Sequence, residues 1–220
     1  RTPGGLVRPK ALWDELLIDR ESVRRGGTEW YTFLHPDGYA MYRVFGDDPM
    51  FVRVGEFIAA TTDAGIALCR ALFGLDLMEK VVFGTHPADP LPYMLTDHRV
   101  ARVNHVEDDL WVRIVDIPTA LEARSYQSEL SIVLGASDTF RSDGGRFALE
   151  IREGRARCRP TDADADVQMD LDVLGSLYLG AHKASSFASV NRLRTNDSAL
   201  LAHLDAAFVS DLPAVLGYGF

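Results

Sequence analysis

In residues 147–159 the chain has the sequence FALEIREGRARCR, in which apolar and charged residues alternate. Successive side chains of a strand point to opposite faces, so the apolar residues from Phe147 to Ile151 indicate a half-buried strand. Glu153-Gly154 supplies a turn, after which Ala156 and Cys158 alternate with three arginines. The stretch therefore predicts two strands joined by a turn, each with one apolar and one polar face.

The rest of the second half adds strands and helices around this pair. Leu110–Val115 is a nearly continuous apolar run, typical of a strand buried on both faces. Asp116 is placed to cap a helix that ends at Arg124, and Asp172 to cap another helix that ends at Gly180. Further strands are predicted at Leu130–Leu134 and Val167–Leu171, and further helices at Ser185–Val190 and Asp197–Phe208.

The first half is richer in strands. His35-Pro36-Asp37-Gly38 has the composition of a turn and separates two aromatic runs, Trp30–Leu34 and Tyr39–Phe45. Other strands are predicted at Phe51–Ala59, Val81–Phe83 and Val100–Val106. A helix is predicted after Pro9, where Leu12, Trp13, Leu16 and Leu17 recur at helical spacing. A second helix is predicted after Thr61 or Thr62, with Ile66, Cys69 and Phe73 on one face. A third is predicted from Pro90 to Leu95. Together the two halves predict an α+β protein with domains at 1–108 and 109–220.

The composition is that of a folded acidic protein, with 220 residues, 47% of them hydrophobic, and a formal net charge of −9. That balance disfavours nucleic acid as a partner and suits a cationic small molecule. No apolar run reaches the roughly 18 residues of a membrane span. Sparse cysteine use fits a reducing compartment, so we expect a cytoplasmic protein, with secretion left open because the chain starts at Arg1 rather than Met. Thr2-Pro3-Gly4-Gly5 is typical of an interdomain linker, which predicts a further segment upstream.

No metal site is predicted. The six histidines form no HxH or HxxxH pair, and capping or surface roles are favoured over a facing pair of His98 and His105. Asp162–Asp166 resembles the start of a calcium loop, but Val167 replaces the required Gly and Val173 the required Glu. On residues 155–159 the three arginines are candidates to hold an anion, although a solvated strand face is the favoured interpretation.

The motifs of covalent catalysis and of coenzyme A binding are missing from the sequence. There is no GxSxG, and both cysteines are expected to pack as small apolar groups. The acetyltransferase loop Arg/Gln-x-x-Gly-x-Gly/Ala, whose N–H groups hold a pyrophosphate, is approached at Arg24–Glu29 and at Arg141–Arg146. The first ends in Glu and the second in Arg, so both are predicted to be turns.

Several stretches, taken in order, resemble the enhanced intracellular survival (Eis) family of bacterial GNAT N-acetyltransferases. They are Arg24–Gly27, Asp37–Val44, Leu110–Asp116, Ala120–Tyr126, Leu171–Gly180 and the terminal Phe220. Members of this family have an acetyl-CoA-binding GNAT domain, a second GNAT-like domain and a sterol-carrier-protein-2-like domain. The chain is similar to the second and third parts. The resemblance thus implies a degenerate GNAT-like domain at 1–108, a sterol-carrier-like sheet covered by helices at 109–220, and acetyl-CoA bound by an N-terminal domain outside this chain.

The resemblance also implies a mechanism and an assembly. It assigns acetyl transfer to a primary amine, of an aminoglycoside-like or lysine-like acceptor, with the carboxylate of Phe220 as the general base. Gly219 stands where family members have an acid, so the acceptor is left open. The family forms homo-hexamers, and the aromatic residues of the first domain, Trp30, Tyr31, Phe33 and Tyr42, suit either an assembly surface or core packing. The isolated chain is expected to be inactive.

Two other functions fit the sequence. One is a stand-alone sterol-carrier-like module that holds an apolar ligand in a tunnel lined by Leu174, Leu177, Phe187 and Leu204, although a filled core is favoured for these residues. The other is a purely structural role in assembly.

Overall fold

The computed structural model of the chain describes residues 3–108, 110–141, 144–212 and 214–216. Its contacts divide into two units, one of residues 7–104 and one that joins residues 3–6 to the chain from His105 onwards. Each unit has its own sheet and its own hydrophobic core. The predicted α+β class is therefore confirmed.

The first unit is a four-stranded sheet with the strand order β1-β2-β3-β4. The predicted hairpin is present as β1 (Tyr31–His35) and β2 (Gly38–Phe45), and both β1 and β3 (Met50–Ala59) run antiparallel to β2. The last strand, β4 (Met78–Phe83), runs parallel to β3, which requires a crossover helix. The helices are α1 (Lys10–Ile18), α2 (Thr62–Phe73), which makes this crossover, and α3 (Leu91–Met94), with 3₁₀ turns at Glu21–Val23 and His98–Val100.

Helix α2 begins as predicted and buries Cys69 of the predicted face, but the rest of its buried face differs. The hydroxyl of Thr61 accepts a hydrogen bond from the N–H of Ala64. Leu68 and Leu72 pack into the core at four-residue spacing, whereas Phe73, predicted to be on the buried face, is 43% exposed. One residue beyond Leu72 is rotated by about 100° around the helix, which turns the Phe73 ring away from the sheet.

The aromatic residues of the first unit pack mainly on one another. Tyr42 is buried, and its ring lies 5.1 Å from that of Phe33 and 5.6 Å from that of Tyr31. Trp30 is half-buried under the guanidinium of Arg43, at 3.6 Å from the ring centroid. Most of this aromatic group therefore serves the core, and Tyr31 alone of these four is more than one third exposed, at 45%.

The second unit is a five-stranded sheet with the order β7-β6-β5-β8-β9 and helices packed on one face. Strand β5 (Leu130–Ser137) pairs in parallel with β8 (Val167–Asp170), and the other pairs are antiparallel. The stretch 147–159 forms β6 (Gly145–Arg152) and β7 (Arg155–Pro160), with Leu149 opposite Cys158 and both buried. The remaining elements are α4 (Ile117–Ala123), α5 (Leu171–Tyr178), α6 (Ala184–Ala188), β9 (Leu193–Thr195) and α7 (Ser198–Phe208).

Two predicted strands are wrong. Among residues 110–115 only Ile114 is fully buried, while Trp111 is 84% and Val115 77% exposed, and none of the six lies in a strand. The predicted strand Val100–Val106 begins at the end of a 3₁₀ turn and continues as irregular chain. An apolar run becomes a strand only where a neighbouring strand accepts its hydrogen bonds, which the run itself does not reveal.

The start of α5 differs from the prediction, and the residues proposed to line a tunnel pack in the core. Helix α5 begins at Leu171, so Asp172 lies in its first turn, where it accepts a hydrogen bond from the N–H of Val173 and pairs with Arg192. The four residues proposed as a tunnel lining belong to the core, where Leu174, Leu177 and Leu204 are at most 1% exposed and Phe187 packs against them. Close packing of these side chains favours the filled core.

Candidate functional site

The predicted catalytic residue, Phe220, lies outside the described residues, whose last member is Leu216. Leu216 is only 3% exposed, so the chain is anchored in the second unit four residues before its end. The geometry that bears on the Phe220 carboxylate is therefore the geometry that fixes the segment from Phe208 to Leu216.

The centre of this geometry is Arg124, which directly follows α4. Its guanidinium donates hydrogen bonds to the carbonyl oxygens of Tyr178 at 2.6 Å, Leu177 at 3.3 Å and Phe208 at 2.9 Å. Helices α5 and α7 end at these residues, and the carbonyls at a helix end lack partners within the helix. Arg124 thus ties the ends of two helices together, and we call this arrangement the Arg124 hub.

Aromatic rings enclose the Arg124 hub. The guanidinium lies 4.6 Å from the ring centroid of Tyr126 and 4.7 Å from that of Phe208. Burial lowers the pKa of Arg124, although arginine remains cationic in proteins. The Tyr126 hydroxyl donates to the carbonyl of Leu121, and burial raises the pKa of Tyr126. The hub is therefore a partly buried and nearly saturated hydrogen-bond network.

Beyond the hub, the chain is held at two further points. The Gln127 side-chain amide donates to the Asp211 carboxylate at 3.0 Å. The N–H of Val215 donates to the carbonyl of Pro3 at 3.0 Å. The residues next to both ends of the described chain therefore meet within the second unit, which the sequence did not indicate.

A cleft of about 190 Å³ opens at the N-terminal ends of α4 and α5. Ile117 and Leu171, the first residues of α4 and α5, form part of its apolar floor. Both helices thus begin at the cleft and end at the Arg124 hub. Helix α5 has eight residues, so the hub and the cleft are about 12 Å apart along it.

The rim of the cleft carries charges of both signs. Arg113 forms an ion pair with Asp138, and its guanidinium lies 5.2 Å from the ring centroid of Phe140. The Arg113 hydrogen bond, helped by the N–H of Phe140, lowers the pKa of Asp138. Asp116, which is exposed, accepts a hydrogen bond from the N–H of Thr119, and this bond lowers its pKa. Both carboxyls are therefore ionised at neutral pH.

The described residues of the first unit do not fit a coenzyme A pyrophosphate. The junction of a strand with a helix N-terminus, where such a loop is expected, occurs at β3 and α2. Two acids lie there, Asp37 next to Thr61 and Asp63 in the first turn of α2, and they would repel a polyanion. At Arg24–Gly27 the chain forms a turn whose N–H of Gly27 donates to the carbonyl of Arg24, as predicted.

The other candidate residues stay separate from these sites. Within the described ranges no group of three or more His, Cys, Asp or Glu side chains is arranged to hold a metal ion. Both cysteines are free and buried. The arginines of β7 point to solvent, opposite to buried Ala156 and Cys158. None of the described helices combines the length and apolarity needed to cross a membrane.

Arg124 is the residue that sequence reasoning missed. It lies in one of the stretches that carry the family resemblance, but the resemblance assigned it no role. A basic residue at the end of a predicted helix was the available signal, since such side chains commonly bind the last carbonyls. The partners that make it a hub are 53 to 84 residues away in sequence and become visible only in the fold.

Comparison with known proteins agrees with this architecture. The chain matches the family models described as "Acetyltransferase (GNAT) domain" over residues 4–114 and "Sterol carrier protein domain" over residues 117–217. It is 56% identical over 223 residues to N-acetyltransferase Eis of Mycobacterium tuberculosis, and the match covers 100% of this chain and 54% of that protein. An uncharacterized N-acetyltransferase of Streptomyces griseus is 36% identical, with 94% of this chain and 53% of that protein covered.

Solved structures of related proteins show the same fold as this chain. The crystal structure of Eis1 from Mycobacterium abscessus superposes with a TM-score of 0.79 at 27% identity, over 96% of this chain and 54% of that chain. A GCN5-related N-acetyltransferase from Anabaena variabilis shares the fold, with a TM-score of 0.78 at 20% identity, over 99% of this chain and 56% of that chain. The chain spans about half the length of the relatives it matches. It belongs to the Eis family of GNAT N-acetyltransferases, as a GNAT domain followed by a sterol carrier protein domain.

Proposed function

We propose that the intact protein transfers an acetyl group from acetyl-CoA to a primary amine, and that this chain supplies the terminal carboxylate base and part of the acceptor cleft. The observation that carries the proposal is the 56% identity to N-acetyltransferase Eis along the whole chain. Because that match covers only 54% of the relative, acetyl-CoA is assigned to a further domain. The acids at the start of α2 support this assignment, since they disfavour a pyrophosphate there.

The proposed chemistry needs a base near the acceptor. An ammonium group gives a proton to the carboxylate of Phe220, directly or through water, and the free amine attacks the thioester carbonyl carbon. The nitrogen then loses its second proton to water, the C–S bond breaks as the amide forms, and the leaving thiolate takes a proton from an acid in the donor domain, so that one proton is released overall. A terminal carboxyl has an ordinary pKa of about 3.3–3.7, so it is ionised at neutral pH and ready to accept a proton.

The geometry of the second unit supports this role for the tail. Four residues follow the buried Leu216, and an extended chain of that length reaches about 14 Å. That reach is comparable with the length of α5, which separates the Arg124 hub from the cleft. We therefore assign the cleft, with the ionised Asp116 on its rim, to the acceptor side of the site. The Asp116 carboxylate suits a cationic amine of the aminoglycoside or lysine type.

The test uses the protein expressed from its complete reading frame, with release of the coenzyme A thiol as the readout. Deletion of Phe220 is expected to lower kcat by about 10²- to 10⁴-fold, the usual contribution of a general base, without lowering the melting temperature. A variant with one glycine added after Phe220 is the matched control for the carboxylate, because it keeps the ring and moves the charge by about 3.5 Å. It should be as inactive as the deletion, whereas Phe220→Tyr should keep most of the activity.

Two outcomes would contradict the proposal. Full turnover of the glycine-extended variant would remove the carboxylate from the mechanism. Micromolar binding of acetyl-CoA to the isolated 220-residue chain, measured by calorimetry, would overturn the assignment of the donor site to another domain. Light scattering on the protein from the complete reading frame measures its molar mass and tests the expected homo-hexamer. Cell fractionation tests the expected cytoplasmic location. The apolar-ligand module is not proposed, because the residues of its tunnel form a filled core.

A further inference from the structure

We infer that the backbone hydrogen bond between Val215 and Pro3 is a clamp that positions the C-terminal tail for catalysis. The inference rests on the proposed function, because it gives Val215 a role only through the Phe220 carboxylate. Val215 is thus a positioning residue that does not itself touch the substrate. We call Pro3, Gly4, Val215 and Leu216 the tail clamp.

The tail clamp is built from residues at both ends of the chain. The Val215 N–H donates to the Pro3 carbonyl at 3.0 Å, and the next residue, Leu216, is 3% exposed. Gly4 has φ +79°, a left-handed conformation that favours glycine. A Cβ atom at Gly4 would lie 3.6 Å from both the Val215 oxygen and the Leu179 side chain. Gly4 therefore packs between the tail and the residue that follows α5.

The tail clamp fixes the chain at a point close to Phe220 in sequence. The last residue of the tail clamp, Leu216, is four residues before Phe220, whereas the next described side-chain tie, Asp211, is nine residues before Phe220. The effective concentration of a tethered group falls roughly as the −3/2 power of the tether length. Lengthening the tether from four to nine residues therefore lowers the concentration of the carboxylate at the acceptor by about threefold. Looser orientation of the carboxylate adds to this loss, since misplacement by about 1 Å lowers rates by up to 10².

The backbone bond can be removed without opening a cavity in the core. Val215→Pro deletes the N–H donor, and Val215→Ala, which keeps the donor, is the matched control. Val215 is 37% exposed, so neither change opens a buried cavity. In the protein from the complete reading frame, Val215→Pro is expected to lower kcat about three- to thirtyfold, with the amine KM changed less than twofold. Val215→Ala should stay within twofold of the wild type in both constants.

A distance measurement tests the clamp independently of the chemistry. Spin labels on Ser131→Cys, on the exposed face of β5, and on Gly219→Cys report the position of the tail, while both native cysteines are buried. Val215→Pro is expected to broaden the distance distribution, and Val215→Ala to leave it narrow.

The outcomes separate this inference from the proposed function. If Val215→Pro changes neither kcat nor the distance distribution, the clamp is overturned and the catalytic carboxylate is unaffected. If it lowers kcat only through a lower melting temperature, with the distribution unchanged, the clamp is likewise overturned. Full turnover by the glycine-extended tail would instead remove the proposed function, whatever the distance measurement gives, and with it the catalytic role of the clamp.

Discussion

The guanidinium of Arg124 donates a hydrogen bond of 2.9 Å to the carbonyl of Phe208 and lies 4.7 Å from the centroid of that residue's ring. One residue therefore offers Arg124 both a polar and an aromatic contact. The same guanidinium binds the last carbonyls of α5, so the ends of α5 and α7 are joined through one side chain. The negative ends of two helix dipoles make a cation favourable at this point.

Removing this side chain should destabilise the second unit strongly. Arg124→Ala removes the donor that binds the carbonyls of Tyr178 and Phe208, and we expect the free energy of unfolding to fall by about 2–4 kcal/mol. Arg124→Lys keeps the charge but not the planar fork, and a loss of about 1–2 kcal/mol is expected. Arg155→Ala, at an exposed position on β7, is the control, with a change below about 0.5 kcal/mol. Equal urea midpoints for the Arg124→Ala and Arg155→Ala variants would show that the Arg124 hub contributes nothing to stability.

Two helical glycines should respond in opposite directions to alanine. At Gly175 in α5 a Cβ atom would lie 2.5 Å from the Val112 carbonyl oxygen, so Gly175→Ala must displace the 110–115 segment. We expect a loss of about 1–3 kcal/mol, even though alanine favours the helix by about 1 kcal/mol. At Gly65 in α2 a Cβ atom would meet only the Ala59 side chain, at 3.7 Å, so Gly65→Ala should stabilise by up to about 1 kcal/mol. Thermal unfolding of both variants checks the pair, and a gain at Gly175 would contradict the close approach of Val112.

The contrast between these glycines shows what could be predicted from the sequence. Alternation in residues 147–159 predicted β6 and β7 correctly, and turn residues located β1 and β2, because these signals are local. The segment Leu110–Val115 has equally strong apolar character but packs its backbone on Gly175 of α5 instead of joining a strand. That choice depends on a partner more than 60 residues away in sequence, which periodicity cannot show.

The candidate site was harder to predict from the sequence than the fold. The family resemblance predicted that the Phe220 carboxylate is the general base, but it did not identify the residues that hold the chain before Phe220. Arg124, Val215 and Pro3 act through backbone carbonyls and N–H groups, which every residue has, so their residue types carry little information about these bonds. Such contacts are set by the arrangement of helix ends and become evident only in three dimensions.

The charge of Asp116 should affect acceptor binding if the cleft is part of the acceptor site. Asp116→Asn keeps an oxygen that can cap α4 and removes only the negative charge. We expect the KM for a cationic amine to rise about two- to fivefold at low salt, with little change in kcat or melting temperature. Asp164→Asn, in an exposed loop, is the control with unchanged KM. If both variants have the wild-type KM, the cleft is not on the acceptor side.

The two thiols should be unreactive until the chain unfolds. Burial, followed by the charges of Glu122 and Asp116, raises the pKa of Cys158 to about 11, and burial also raises the pKa of Cys69. At pH 8 the thiolate fraction of Cys158 is then about 10⁻³, and a disulfide reagent must also reach a buried atom. We expect almost no thiol to react with a chromogenic disulfide reagent in buffer over an hour. In 6 M guanidinium we expect two thiols per chain to react. Rapid reaction of either thiol in buffer would mean that its unit opens locally.

The ion pair of Asp19 with Arg43 should make the first unit sensitive to acid. Arg43 is 5% exposed, and its hydrogen bond to Asp19, together with the bond that Asp19 accepts from the Trp30 N–H, lowers the pKa of Asp19 from 3.8. The unfolded chain, with the ordinary pKa, takes up the proton first as the pH falls. The stabilisation from Asp19 is therefore fully present above about pH 5 and is lost as the pH falls below 4 towards the lowered pKa.

Asp19→Asn tests this dependence without changing the backbone, because asparagine tolerates the φ of +49° found at this position. The wild type is expected to lose free energy of unfolding more steeply than Asp19→Asn between pH 5 and pH 2.5, by urea titration. At pH 7 the variant is expected to be the less stable of the two, because it leaves the Arg43 guanidinium buried without its counter-ion. The exposed Asp164→Asn variant should follow the wild-type curve throughout. Parallel curves for the wild type and Asp19→Asn would mean that Arg43 is held by the Thr28 carbonyl and the Trp30 ring alone, and that the carboxylate contributes no acid-sensitive stability.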